Sequence, residues 1–261
     1  MYEPRYRSNR NGVPILSKKD IEAIADGFVQ DFQPSALFNA EPLDVEAFVE
    51  YYLGMTPDYQ YLSHNGIYLG MTVFNDTDKV PVYDPQANRA EYISAKAGTV
   101  IIDRRLIENE NQEHRYRFTL GHEGGHAIFH GRFFYRDPNQ LSFLEPNRDP
   151  IIQCRTDAGM NTNRTAPKNW TDKERMEWQA NALSSALLMP RSAVRKLFEE
   201  MSHEYDNSYA CIAATVNQMV ERLNVSTTAA VYRLKELSLI QPEDTSMFMP
   251  GSAFLDFAVL M

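Results

Sequence analysis

Six histidines occur in the 261 residues, and two of them stand four apart in Gly121-His122-Glu123-Gly124-Gly125-His126. On a helix, positions i and i+4 lie about 40° apart, so His122 and His126 project from one face. Two imidazoles at that spacing suit a single Zn²⁺, each at about 2.0–2.1 Å. Glu123 follows the first histidine directly. A carboxylate there is placed to take a proton from water beside the metal rather than to ligate it. A structural zinc site has no use for such a residue, so its presence favours hydrolysis over a purely architectural ion.

Catalytic zinc takes three protein ligands and leaves one position open. One known arrangement puts a third histidine six residues after the second, with a glycine midway. Those positions hold Arg132 and Phe129 here, so that arrangement fails. The other draws a carboxylate from a separate helix. The segment Thr171 to Met189 supplies one: Thr171 and Glu174 form a capping box, and Pro190 stops the run. Glu177 and Asn181 share a face of that helix, while Ala180, Leu183 and Leu187 make an apolar one. Glu177 is therefore the expected third ligand, and Asn181 is expected to hydrogen-bond a ligand imidazole from behind. Glu174 is already engaged by the cap.

These blocks resemble the ImmA/IrrE metallopeptidases. The resemblance rests on Arg117-Phe118-Thr119-Leu120 before His122-Glu123-x-x-His126, on Glu177-x-x-Ala180-Asn181-x-x-Ser184-x-x-Leu187-Leu188-Met189-Pro190, and on Leu223 to Leu237. The last block is similar to that family's helix-turn-helix portion. Gly124 stands where the family usually has a larger apolar residue, and Leu183 where Phe is common. The resemblance implies an α+β, zincin-like metallopeptidase with Zn²⁺ as cofactor. It also implies a protein substrate, a helix-turn-helix transcriptional repressor, whose cleavage relieves repression.

The elements that must position these residues follow from the rest of the chain. Ser17 to Asp20 caps a helix with Ile21, Ile24, Ala25 and Phe28 on one face, and a second helix is expected from Asp44 to Leu53, ended by Gly54. From Ile67 to Ile102 the pattern changes to short strands with turn-rich links, which suggests a small antiparallel meander in front of the motif helix. Thr99, Val100, Ile101 and Ile102 form the strand expected to pair with an extended substrate if its edge is free. The motif helix is expected to end near Gly131, with His130 offsetting its dipole rather than pointing toward the cleft. Residues 132–170 read as a long loop. Its Phe133, Phe134, Tyr135, Leu141, Phe143 and Leu144 suggest a packed cover over the cleft.

The expected organisation is a zincin-like domain over residues 1–205, a helix-turn-helix-like segment over 206–241 and a tail over 242–261. A net charge of −9 argues against general nucleic-acid binding and suits a basic protein partner. The second helix of the helix-turn-helix-like pair offers only Arg233 and Lys235, beside Glu236, so direct DNA reading is not expected. Cys154 and Cys211 are the only cysteines, and no apolar run reaches membrane-spanning length, so a reducing, cytoplasmic setting is expected. The rival class is a regulatory protein that binds a partner through 206–241 and keeps its zinc for structure.

Overall fold

The fold, taken from a computed structural model, is described for residues 1–134, 151–155, 170–241 and 244, with backbone alone at 154 and 155. Its element order is α1 (Lys18–Phe32), α2 (Ser35–Asn39), α3 (Val45–Ala47), a π-helical turn (Phe48–Tyr52), β1 (Thr56–Gln60), β2 (Tyr68–Val73), β3 (Thr77–Asp84), β4 (Arg89–Ala95), β5 (Thr99–Asp103), α4 (Arg105–Glu108), a 3-10 turn (Glu110–Gln112), α5 (Glu113–Phe134), β6 (Ile151–Arg155), α6 (Asp172–Leu188), α7 (Arg191–Glu204), α8 (Ser208–Leu223) and α9 (Thr227–Glu236). This is an α+β fold. No helix among the described residues is long and apolar enough to cross a membrane.

Two compact units are distinguished. The first holds Glu3–Ile24 and Asp44–Ser184, the second Ala25–Leu43 and the chain from Ser185 onward. In the first unit, a four-stranded sheet runs in the order β1-β5-β2-β6, and β3 and β4 make a two-stranded sheet. β1 and β5 are parallel, whereas β2 is antiparallel to both β5 and β6. The expected meander is therefore corrected: β3 and β4 form a separate hairpin inserted between β2 and β5, and the main sheet is mixed. Met71, Val73 and Ile101 from the sheet pack with Val80 and Val82 from the hairpin, so one core serves both.

β5 is an interior strand, hydrogen-bonded on both sides and buried from Thr99 to Asp103. The expectation that Thr99, Val100, Ile101 and Ile102 offer a free edge to substrate is thereby overturned, because β1 and β2 already occupy both edges. The segment 132–170 is also not one loop. Residues 132–134 continue α5, and β6 joins the sheet beside β2, with Ile152 packed against Val13, Phe134 and Met176. The cover expected from the remainder of that segment, including Tyr135, Leu141, Phe143 and Leu144, lies outside the described residues, as do 245–261 of the tail.

Helix α1 begins with the expected cap: Asp20 N–H donates to Ser17 Oγ at 3.2 Å, and Ser17 N–H donates to the Asp20 carboxylate at 2.8 Å. The helix expected from Asp44 is shorter as an α-helix than its periodicity implied. Asp44 caps α3, and the chain then widens to a π turn that closes with Leu53 N–H on Phe48 O at 2.9 Å. The N-terminal stretch forms a tight turn. Asn9 Oδ1 accepts from the N–H groups of Asn11 and Val13 at 2.9 and 3.0 Å, and Asn9 and Asn11 both donate to the Asp172 carboxylate at the start of α6.

In the second unit, α7, α8 and α9 follow one another with short links. Asn207 caps α8 and Ser226 caps α9, while Asn224, at φ 52°, turns the chain between them. Arg233 is fully buried on α9, donating to Met189 O at 2.9 Å and pairing with Glu236 at 2.8 Å. That arginine is thus committed to structure rather than to a nucleic-acid surface.

At the start of α6, Thr171 N–H donates to the Glu174 carboxylate at 2.9 Å and Glu174 N–H donates to Thr171 Oγ1 at 3.2 Å. Thr171→Ala removes one half of this reciprocal pair. It should lower stability by about 1 kcal/mol, read as a shift of the urea midpoint at unchanged slope. An unshifted midpoint would show that the Asn9 and Asn11 contacts to Asp172 hold the helix start unaided.

Candidate metal centre

Helix α5 is long, and its middle is buried on every side: Leu120, His122, Glu123, His126, Phe129 and His130 are all at most 1 % exposed. Such a helix carries its polar residues inward only if each finds a partner. The close neighbours are α6 on one face and β2 on another.

The α5–α6 contact is made by small residues. A Cβ added at Gly121 would stand 2.8 Å from Ser184 Oγ, and one at Gly125 would stand 3.1 Å from the Ala180 backbone. Ser184 Oγ donates to Phe118 O at 2.9 Å, which ties the two helices at the same level. Gly124, next in sequence, faces elsewhere, toward Val49 and Leu53. The adjacent glycines thus serve two different close approaches.

This contact delivers Glu177 to the histidines. Its carboxylate oxygens lie 3.5 Å from His122 Nε2 and 3.6 Å from His126 Nε2, and the two Nε2 atoms are 2.9 Å apart. The three residues form a cluster able to hold an ion. Tetrahedral donors around zinc would sit about 3.3 Å from one another, given bonds of about 2.0–2.1 Å. Both Glu177 oxygens are buried without a hydrogen-bond partner among the described residues. A carboxylate left so, facing two imidazole nitrogens, fits a divalent ion such as Zn²⁺. Asn181, one turn further along α6, places Oδ1 2.8 Å from His122 Nδ1.

Glu123, beside that cluster, packs against β2. Its Oε2 accepts from Thr72 Oγ1 at 2.6 Å, and its Oε1 has no partner among the described residues. Burial raises its pKa to about 7, against the opposing pull of His122 and of the Thr72 hydrogen bond. A carboxylate near neutrality is suited to exchange a proton at physiological pH. The same burial lowers the basicity of His126 and brings His130 to about 3, so both imidazoles are neutral.

Three participants were not found from sequence. Thr72 and Gly70 lie on β2, and a Cβ at Gly70 would stand 2.5 Å from Glu123 Oε1. The available signal was a lone glycine inside an apolar strand, which marks close approach by another group. The third is Gln179, which was hidden because it lies off the face shared by Glu177 and Asn181. His130 was expected to offset a helix dipole. It is instead fully buried, 2.8 Å from His126, because α5 continues one more turn to Phe134.

Residues 156–235 match the family model Peptidase_M78, described as the IrrE N-terminal-like domain. This agrees with the family resemblance, and the matched stretch contains Glu177, Asn181 and Leu187 to Pro190. A peptidase-type function is supported on that ground. No curated protein matches the chain.

Gly70→Ala forces a methyl group against the Glu123 carboxylate. It should destabilise the protein by about 1–3 kcal/mol through overpacking, measured by urea unfolding. Wild-type stability in this variant would mean that β2 and Glu123 are not in the close contact described.

Proposed function

We propose that the protein is a zinc metallopeptidase that cuts a defined, exposed segment of a helix-turn-helix transcriptional repressor. The observation that carries the reading is the convergence of His122, His126 and Glu177 beside a buried Glu123 that ligates nothing. His122, His126 and Glu177 would hold the ion. When bound, such an ion supplies an electrophile for the peptide carbonyl and acidifies water.

The chain's own residues supply the proton traffic and the geometry. Glu123 takes a proton from the attacking water and passes it to the leaving amine nitrogen, its Oε2 fixed throughout by Thr72. Thr72 and Gly70 hold the carboxylate to one position, so no rotamer search precedes proton transfer. Asn181 orients His122 from behind.

The repressor as substrate rests on the family resemblance and on charge. A DNA-binding protein presents a basic surface, and a chain of net charge −9 attracts it. The segment cut must be extended, which points to a loop or helix end of the repressor. Residues 206–241, as a helix-turn-helix-like portion, are a further candidate surface for that partner.

Metal content and turnover test the reading together. The protein should hold one zinc per chain, lost in His122→Ala and His126→Ala and weakened in Glu177→Gln, by elemental analysis after dialysis. Glu123→Gln should retain zinc and lose cleavage. Release of zinc by Glu123→Gln would contradict the division between ligand and base. Cleavage of a repressor at one site, slowed by salt, is expected; equal digestion of casein would leave a general peptidase instead.

A further inference from the structure

Behind His126 runs a line of buried polar groups that none of the roles above uses. His126 Nδ1 lies 2.8 Å from His130 Nδ1, His130 Nε2 lies 3.0 Å from Gln179 Oε1, and Gln179 Nε2 lies 2.7 Å from Pro14 O. His126, His130 and Gln179 are each fully buried. The line crosses from α5 to α6 and ends on the N-terminal turn.

The direction of every hydrogen bond in this line follows from its last member. A backbone carbonyl only accepts, so the Gln179 amide must turn its NH₂ group to Pro14 and its oxygen to His130. The opposite orientation would set two acceptors face to face. Gln179 Oε1 also only accepts, so His130 Nε2 carries the hydrogen. His130 is buried, and its hydrogen-bond partners among the described residues, His126 and Gln179, include no carboxylate, so it is the neutral imidazole and its Nδ1 bears a lone pair. That lone pair faces His126 Nδ1, which must therefore carry the hydrogen. His126 Nε2 is left bare, on the side of His122 and Glu177.

We propose that Pro14, Gln179 and His130 form a relay of positioning residues that fixes His126 as its Nδ1–H tautomer, with Nε2 ready to ligate the metal. Which ring nitrogen of a histidine is free for a metal is set by the hydrogen bond made by the other. His122 has Asn181 for this purpose, and His126 has His130. The two ligands are thus oriented by different means. One uses a single amide; the other uses a chain of three groups anchored on a carbonyl that cannot donate. The relay explains why a third histidine, too far along α5 to join the cluster, is buried at all.

The proposal rests on the metal-centre reading, and the test keeps the two apart. Metal-free protein labelled with ¹⁵N-histidine is examined by two-bond ¹⁵N–¹H correlation, which identifies the nitrogen that carries the hydrogen. Wild-type His126 should be the Nδ1–H form before any metal is added; the Nε2–H form would overturn the proposal whether or not zinc binds. His130→Leu removes the acceptor, and His130→Asn keeps an oxygen near the place of Nδ1. The Leu variant should lose the tautomer preference and weaken Zn²⁺ binding about 10–100-fold in chelator competition. The Asn variant should recover most of both. Equal weakening in the two variants, tracking their loss of thermal stability, would reduce His130 to a packing residue and overturn the proposal. Gln179→Leu, which leaves His130 in place, should also lose the preference at His126; an unchanged His126 signal there would break the chain at its second link. Absence of zinc binding by the wild type would instead sink the metal centre itself.

Discussion

Everything in the candidate site depends on how closely α5 and α6 approach. The two helices meet where Gly121 and Gly125 lie against Ser184 and Ala180, so that a Cβ would stand 2.8 Å from Ser184 Oγ at the first glycine and 3.1 Å from the Ala180 backbone at the second. Each glycine in a helix interior costs up to about 1 kcal/mol relative to alanine. That cost is offset by bringing the Glu177 carboxylate within 3.5–3.6 Å of two imidazole nitrogens. With alanine-sized separation at these positions, the cluster would open and Glu177 would be one more half-buried helix residue.

The hydrogen bonds around the cluster converge on the same place. Outward-facing atoms are satisfied: His122 Nδ1 by Asn181, His126 Nδ1 by His130, and Glu123 Oε2 by Thr72. Among the described residues, the atoms of the cluster and its base without a hydrogen-bond partner are the Glu177 oxygens and Glu123 Oε1. Native proteins rarely leave buried polar atoms unpaired, and those they do leave are aimed at something else. Here the satisfied atoms hold the rings and carboxylates in place, and the unsatisfied ones mark where an ion and a reacting proton would be.

The sequence made the two helices of the candidate site legible because their signals are local. His122, Glu123 and His126 share one short motif, and the capping box at Thr171 and Glu174 sets the phase of α6, from which Glu177 and Asn181 follow. What was not legible depends on pairing at a distance. Nothing in Thr99 to Ile102 states that β1 and β2 flank it; β1 itself was missed, since Pro57 speaks against a strand until it is seen at the sheet edge. The strand β6 was hidden inside a proline-rich stretch. Thr72, Gly70 and Gln179 became participants only through partners more than 48 residues away in sequence. Nothing in the adjacent Gly124 and Gly125 states that each faces a different neighbour.

The most direct measurement is a crystal structure of the zinc-loaded protein with anomalous diffraction recorded on either side of the zinc absorption edge. The account predicts a single strong anomalous peak about 2.0–2.2 Å from His122 Nε2, His126 Nε2 and a Glu177 carboxylate oxygen, with Glu123 next to it but not bonded to it. A peak elsewhere, or one bound by the histidines with Glu177 turned away, would contradict the claim that the α5–α6 contact exists to complete a metal centre.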